Sequence, residues 1–156
     1  LAAYAGCARV REALAAAGSA VVAFDISATA IVACERRFPQ SNVEYVVADL
    51  LTTPAAWASR FDLVFESYTL QVLPEPVRQA ASQALVRLVA PGGKLLLLCR
   101  GRDRSDAAGE LPWPLTREEL EGFVAQGLRE VSFDDFLDRH DMPPVRRFLA
   151  LYEKPL

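Results

Sequence analysis

The sequence predicts an α/β fold: a doubly wound, mostly parallel sheet with helices on both faces and a C-terminal antiparallel edge strand. Three observations predict it. Apolar runs of four to six residues alternate with segments of helical period, the pattern of strands buried beneath covering helices. Successive predicted strands end in an acid, at Asp25, Asp49 and Glu66. The most apolar run, KLLLLC at residues 94–99, follows a Pro-Gly-Gly punctuation and has the character of a central strand.

Residues 1–5 make only a short, weak first strand, and the alanine bias of residues 13–17 favours a helix. Residues 20–24 (AVVAF) are the first clear strand, a β-branched run of the kind buried on both faces, closed by Asp25. Ser27 supplies the N-cap of a helix to about residue 38, with Ile31, Cys34 and Phe38 on one stripe and Pro39 as its stop. Residues 42–48 (NVEYVVA) are the next strand, then a short helical segment at 54–59, then a strand at 61–65 (FDLVF). Pro74 and Pro76 start a longer helix whose stripe is Val77, Ala81, Ala84, Leu85, Leu88 and Val89, with Pro91-Gly92-Gly93 as stop and turn. Residues 100–115 are polar and broken by Gly101, Gly109, Pro112 and Pro114, which reads as a lid or binding loop. Thr116 with Glu119 forms a capping box for a helix to about Gln126. Residues 128–136 and 145–153 read as two strands that pair as an antiparallel edge hairpin.

The chain of 156 residues, 52% hydrophobic, fits one domain with a sizeable core. A formal charge of −3 is the opposite of the basic footprint that polynucleotide binding needs, so nucleic-acid partners are not expected. Cys7, Cys34 and Cys99 are odd in number and dispersed among apolar residues. They read as free thiols of a reducing, cytoplasmic setting rather than a disulfide framework or zinc site. No run approaches the length of a membrane span, so no membrane partner is expected.

In a doubly wound sheet the carboxyl ends of parallel strands share one edge, where ligands bind. Asp25, Asp49 and Glu66 therefore form an acidic rim. An acid at the second strand's end suits the paired hydroxyls of a ribose; its alternative is a turn or cap role before Ser27. Asp49 has the same two readings, an adenine amino group or a turn before Thr52, and Glu66 is either a site residue or an arginine's partner.

The stretches FDIS (24–27), VVADLL (46–51), FDLVFESYTLQVLP (61–74) and LVAPGGKLLLL (88–98), in this order, resemble class I S-adenosylmethionine-dependent methyltransferases. The likeness is strongest to small bacterial members of the thiopurine methyltransferase-like group. It extends over residues 6–153 and implies a Rossmann-like sheet, S-adenosylmethionine as cofactor and a small-molecule methyl acceptor. By that resemblance Asp25 holds the ribose, Ile26 packs on the adenine, Asp49 meets its amino group with Leu50 alongside, and Glu66 lines the methionine end. Gly6 is the first glycine of the family's G-x-G-x-G loop; Ala8 and Val10 stand where its other glycines belong.

A β-branched residue at positive φ is strained by roughly 1–2 kcal/mol, so this degenerate loop either takes another path or weakens binding. A truncated or rearranged N-terminus, in a chain that opens on Leu1, would account for both the weak strand and the altered loop. The acceptor pocket is expected from Tyr68, Gln71, Arg100 and the 100–115 loop, with Trp113 as an apolar lid or a loop anchor. Arg100 and Arg102 attract an anionic acceptor or are ordinary solvated charges. His140, in LDRHD, reads as a solvated loop residue, and no metal ligand set is evident. Two rivals stand beside methyl transfer. One is a non-catalytic relic of the fold; the other, a nicotinamide oxidoreductase, lacks both G-x-G-x-x-G and a Tyr-x-x-x-Lys pair.

Overall fold

The computed structural model describes residues 8–156. Gly6, Cys7 and the weak first strand lie outside the described residues. The chain opens with α1 (Ala8–Ala16), then runs β1 (Val22–Asp25), α2 (Ala28–Arg37), β2 (Glu44–Val47), β3 (Phe61–Ser67), α3 (Glu75–Leu88), β4 (Val89–Arg100), α4 (Arg117–Ala125), β5 (Arg129–Asp138) and β6 (Val145–Glu153). Short 3-10 turns at Leu50–Thr52, Ala55–Trp57 and Leu70–Val72 fill the connections.

Strands β1 and β2 pair in parallel, and β3, β4, β6 and β5 form a second ladder in that order. Only β6 runs against the others: it is antiparallel to both β4 and β5, while β3 and β4 are parallel. The C-terminal hairpin is therefore at the edge, as the sequence predicts, with β5 outermost and the reversed strand β6 one place in. Side chains of β4 alternate between two cores. Leu95, Leu97 and Cys99 pack with Ala81, Leu85, Leu88, Leu120 and Phe123 of α3 and α4. Leu96 and Leu98 turn to the opposite core of Val21, Ala23, Val43 and Phe65, which Leu14 and Ala15 of α1 also cover. No ladder joins β1 to β3 among the described residues. They are tied instead through these cores and through the aromatic chain Phe24–Trp57–Phe61, with ring centroids 5.3 and 6.0 Å apart.

Local signals act as their chemistry demands. Ser27 caps α2 through its side chain and the Ala30 N–H, and Thr116 and Glu119 close a full capping box on α4. The end of α3 departs from expectation. The helix stops at Leu88, ahead of Pro91, because Val89 is already extended and paired with Phe61. Pro91-Gly92-Gly93 is then a bulge inside β4, across which the register moves from Phe61↔Val89 to Leu63↔Lys94. Val89, assigned to the helical stripe by periodicity, is a buried strand residue.

Two glycines predict opposite mutational outcomes. A Cβ at Gly93 would sit 2.9 Å from the carbonyl oxygens of both Ala90 and Phe61, backbone atoms that cannot step aside. Gly93→Ala is expected to destabilise by about 1–3 kcal/mol. At Gly122 in α4 nothing lies within 4 Å of the added methyl, and Gly122→Ala is expected to stabilise by about 0.5–1 kcal/mol. Urea unfolding midpoints of the two variants check both signs.

Candidate functional site at the carboxyl edge

The parallel register Asp25↔Val47 sets the acids of the first two strands on adjacent strand ends, Asp49 lying just beyond β2. Each uses one oxygen locally. Asp25 Oδ1 accepts the Ser27 N–H at 2.8 Å, and Asp49 Oδ1 accepts the Leu51 N–H at 2.9 Å to head its 3-10 turn. The turn-cap readings are thus both realised. They do not use up Asp25, which is 7% exposed and whose Oδ2 is buried with no hydrogen-bond partner. An acceptor oxygen shielded from water and left unpaired is costly, and such atoms mark places where a ligand or water completes the network. Beside it Ile26, 71% exposed, is an apolar side chain with nothing to bury it, while Leu50 is half-buried against the main core.

Glu66 behaves differently. Its Oε1 accepts the Thr69 and Leu70 N–H groups at 2.6 and 3.1 Å, so it caps the turn leaving β3. The side chain is 3% exposed and Oε2 has no partner. Burial pushes its pKa up to about 7 against the opposing pull of those two backbone donors. It also raises the buried Cys99 thiol, whose shift comes first from its own desolvation. Among the described residues no arginine pairs with Glu66, so that reading of the sequence finds no support.

Gln71, 1% exposed, bolts the next loop in place: its Oε1 accepts the Arg100 N–H at 2.8 Å and its carbonyl accepts the Trp113 N–H at 2.7 Å. Residues 100–115 lack helix and strand beyond the end of β4 and one bridge, Gly101↔Leu115. Arg102 braces this loop by donating to the carbonyls of Pro114, Asp103 and Asp106. Trp113 is half-buried and lines a cleft of about 600 Å³ with Pro74, Arg78, Arg102 and Thr116. Tyr68, Arg100 and Glu66 do not line that cleft. Tyr68 instead stands in the left-handed region, φ 66°, and its phenol oxygen accepts a hydrogen bond from Arg147. Arg147 is the residue that sequence reasoning missed; no local pattern marks it, since only the placement of β6 against β4 brings it to this edge. His140 is exposed, its N–H on Asp138.

Ala8 and Val10, the positions that depart from the glycine pattern, lie within α1. Their backbone is helical, so neither incurs the positive-φ strain expected of the loop. Among the described residues no cluster of His, Cys, Asp or Glu is arranged to hold a metal, and no helix is long and apolar enough to cross a membrane.

Comparison with known proteins agrees with this fold. A family profile described as "Methyltransferase domain" matches residues 1–93. The chain belongs to that family, the class I S-adenosylmethionine-dependent methyltransferases, and S-adenosylmethionine is the cofactor that goes with it. Thiopurine S-methyltransferase of Vibrio vulnificus (strain YJ016) is 32% identical over 106 residues, 68% of this chain and 47% of that protein. The chain thus spans about half the length of this curated relative. Among solved structures, a methyltransferase of Bacillus halodurans superimposes with a TM-score of 0.82 at 15% identity, covering 99% of this chain and 91% of that one. The N-methyltransferase NodS of Bradyrhizobium japonicum, in complex with S-adenosylhomocysteine, gives 0.74 at 22% identity, covering 99% and 76%. Identities this low speak for the fold alone.

The buried acid predicts a pH dependence of stability. With a pKa raised from 4.5 to about 7 in the folded chain, Glu66 stays protonated after its unfolded counterpart has ionised. Stability is then highest below the unfolded value and falls as pH rises toward 7, by about 3 kcal/mol at most. Glu66→Gln keeps the acceptor for Thr69 and Leu70 and cannot ionise. It is expected to match the parent at pH 4 and exceed it at pH 8, measured by urea unfolding across that range.

Proposed function

We propose that this chain is a single-domain enzyme that transfers the methyl group of S-adenosylmethionine to a small-molecule acceptor. The observation that carries the reading is Asp25, whose shielded, unpaired Oδ2 stands at the tip of β1 beside the exposed Ile26 and one strand from Asp49. That set fits an adenosine: Asp25 for the ribose hydroxyls, Ile26 and Leu50 for the flat faces of the base, Asp49 for its amino group. Glu66, at the end of β3, shapes the turn on the methionine side, and Gly6, the glycine retained from the family's loop pattern, is the further cofactor-binding residue. The cofactor supplies a methyl group already activated on a sulfonium sulfur. The chain's share of the work is then to hold, orient and exclude water. Tyr68, Arg100 and Trp113 face that task on the acceptor side, and no nucleophilic side chain is needed. The buried free thiols of Cys34 and Cys99 suit a reducing, cytoplasmic setting.

A second reading, a methyltransferase fold that binds its cofactor weakly or not at all, is favoured by Ala8 and Val10 not through backbone strain but because each adds a Cβ where the family's glycines carry none. One titration separates the two. S-adenosylhomocysteine at about 100 times its dissociation constant is expected to stabilise the chain by roughly 2.7 kcal/mol, and Asp25→Ala to remove most of that shift. A melting curve that S-adenosylhomocysteine leaves unmoved establishes the second reading.

A further inference from the structure

Three strand ends beyond the adenosine-sized edge converge on a different chemistry. Arg100 and Arg147 are paired positions of β4 and β6, so both side chains leave the same face of the sheet. It is the face of Leu96 and Leu98, turned away from α3 and α4. Arg147 reaches past the end of β4 to β3, its guanidinium carbon 5.2 Å from the centroid of the Tyr68 ring. Its charge is answered twice, by Asp138 at 2.8 Å and by Asp141 at 2.5 Å, and its side chain is only 13% exposed. Arg100 is half-buried, and its hydrogen bonds among the described residues are those of its backbone, to Gln71 and Leu115.

Two guanidinium groups facing each other across a ladder repel. One of them is neutralised within the fold; the other presents a planar fork of donors with no acceptor, and such a fork matches a carboxylate in two parallel bonds. We propose that Arg100 is the anion anchor of the acceptor pocket: it takes a carboxylate or equivalent oxyanion of the methyl acceptor, while Arg147, locked by Asp138 and Asp141 against Tyr68, forms the wall of that subsite. The inference rests on the methyltransferase reading for the identity of its ligand as an acceptor. The acceptor class it names is an organic acid.

Benzoate and benzamide, alike in shape and unlike in charge, serve as probes in calorimetric titrations run with and without S-adenosylhomocysteine. Benzoate is expected to bind about tenfold more tightly than benzamide. Arg100→Met abolishes the preference and leaves S-adenosylhomocysteine affinity unchanged. Arg104→Met, which removes an exposed arginine of the same loop, preserves it. Equal binding of the two probes, absence of binding by either, or a preference that survives Arg100→Met overturns the proposal. So does a loss of S-adenosylhomocysteine affinity in Arg100→Met, which assigns the anchor to the cofactor's own carboxylate. Failure of the parent chain to bind S-adenosylhomocysteine strikes the cofactor reading alone, because the benzoate preference is still read in its absence.

Discussion

The site depends on β4 being held on both sides. The strand pairs in parallel with β3 and antiparallel with β6, and it buries Leu95, Leu97 and Cys99 completely beneath α3 and α4. Its two ends are pinned by glycines for steric rather than conformational reasons. At the start, Gly93 admits no Cβ between the Ala90 and Phe61 carbonyls; at the finish, a Cβ on Gly101 would lie 2.4 Å from the Phe148 ring. Interiors packed to this density transmit a misfit instead of absorbing it. The carboxyl end of β4 therefore arrives at a defined place, and Arg100, the braced loop and the β6 arginines are positioned from it.

Much of this was legible along the chain. Most strands and helices lie within a few residues of their expected bounds, α1 and the start of β4 excepted, and the caps at Ser27 and Thr116 act through the side chains that mark them. Periodicity failed where two signals overlapped. Val89 continues the stripe of α3 and also begins β4, and its pairing with Phe61, a contact between distant segments, decides the matter. The glycine pattern misleads for a related reason: it places Ala8 and Val10 in a loop, whereas α1 includes both. Helical backbone asks nothing of a side chain that a loop at positive φ would.

The three strand-end acids look alike in sequence and meet different fates. Asp25 retains an unpaired oxygen, Asp49 is half-buried and heads a turn, and Glu66 is enclosed, its pKa pushed up to about 7 by burial. What separates them is cover. The turn at Leu70–Val72 folds back over Glu66 and supplies the two N–H groups it caps, and no local pattern states how tightly that turn closes. The ionisation of Glu66 is thus a tertiary property, set by desolvation more than by neighbouring charge.

Tyr68 shows the same dependence at the level of the backbone. Its φ of 66° is one that side chains disfavour by roughly 1–2 kcal/mol, and glycine would relieve the strain. Glycine would also remove the ring on which the Arg147 guanidinium lies and the phenol to which it donates. The turn is held by the Tyr68 N–H on the Leu98 carbonyl at 3.2 Å, and the ring by an arginine that two aspartates keep in place. Strained side chains persist where their surroundings over-determine them. Here the over-determination comes from β6 and the turn before it, so the C-terminal hairpin does more than close the edge of the sheet. It sets the conformation of the residue just past the end of β3, and with it the place where the Arg147 guanidinium lies.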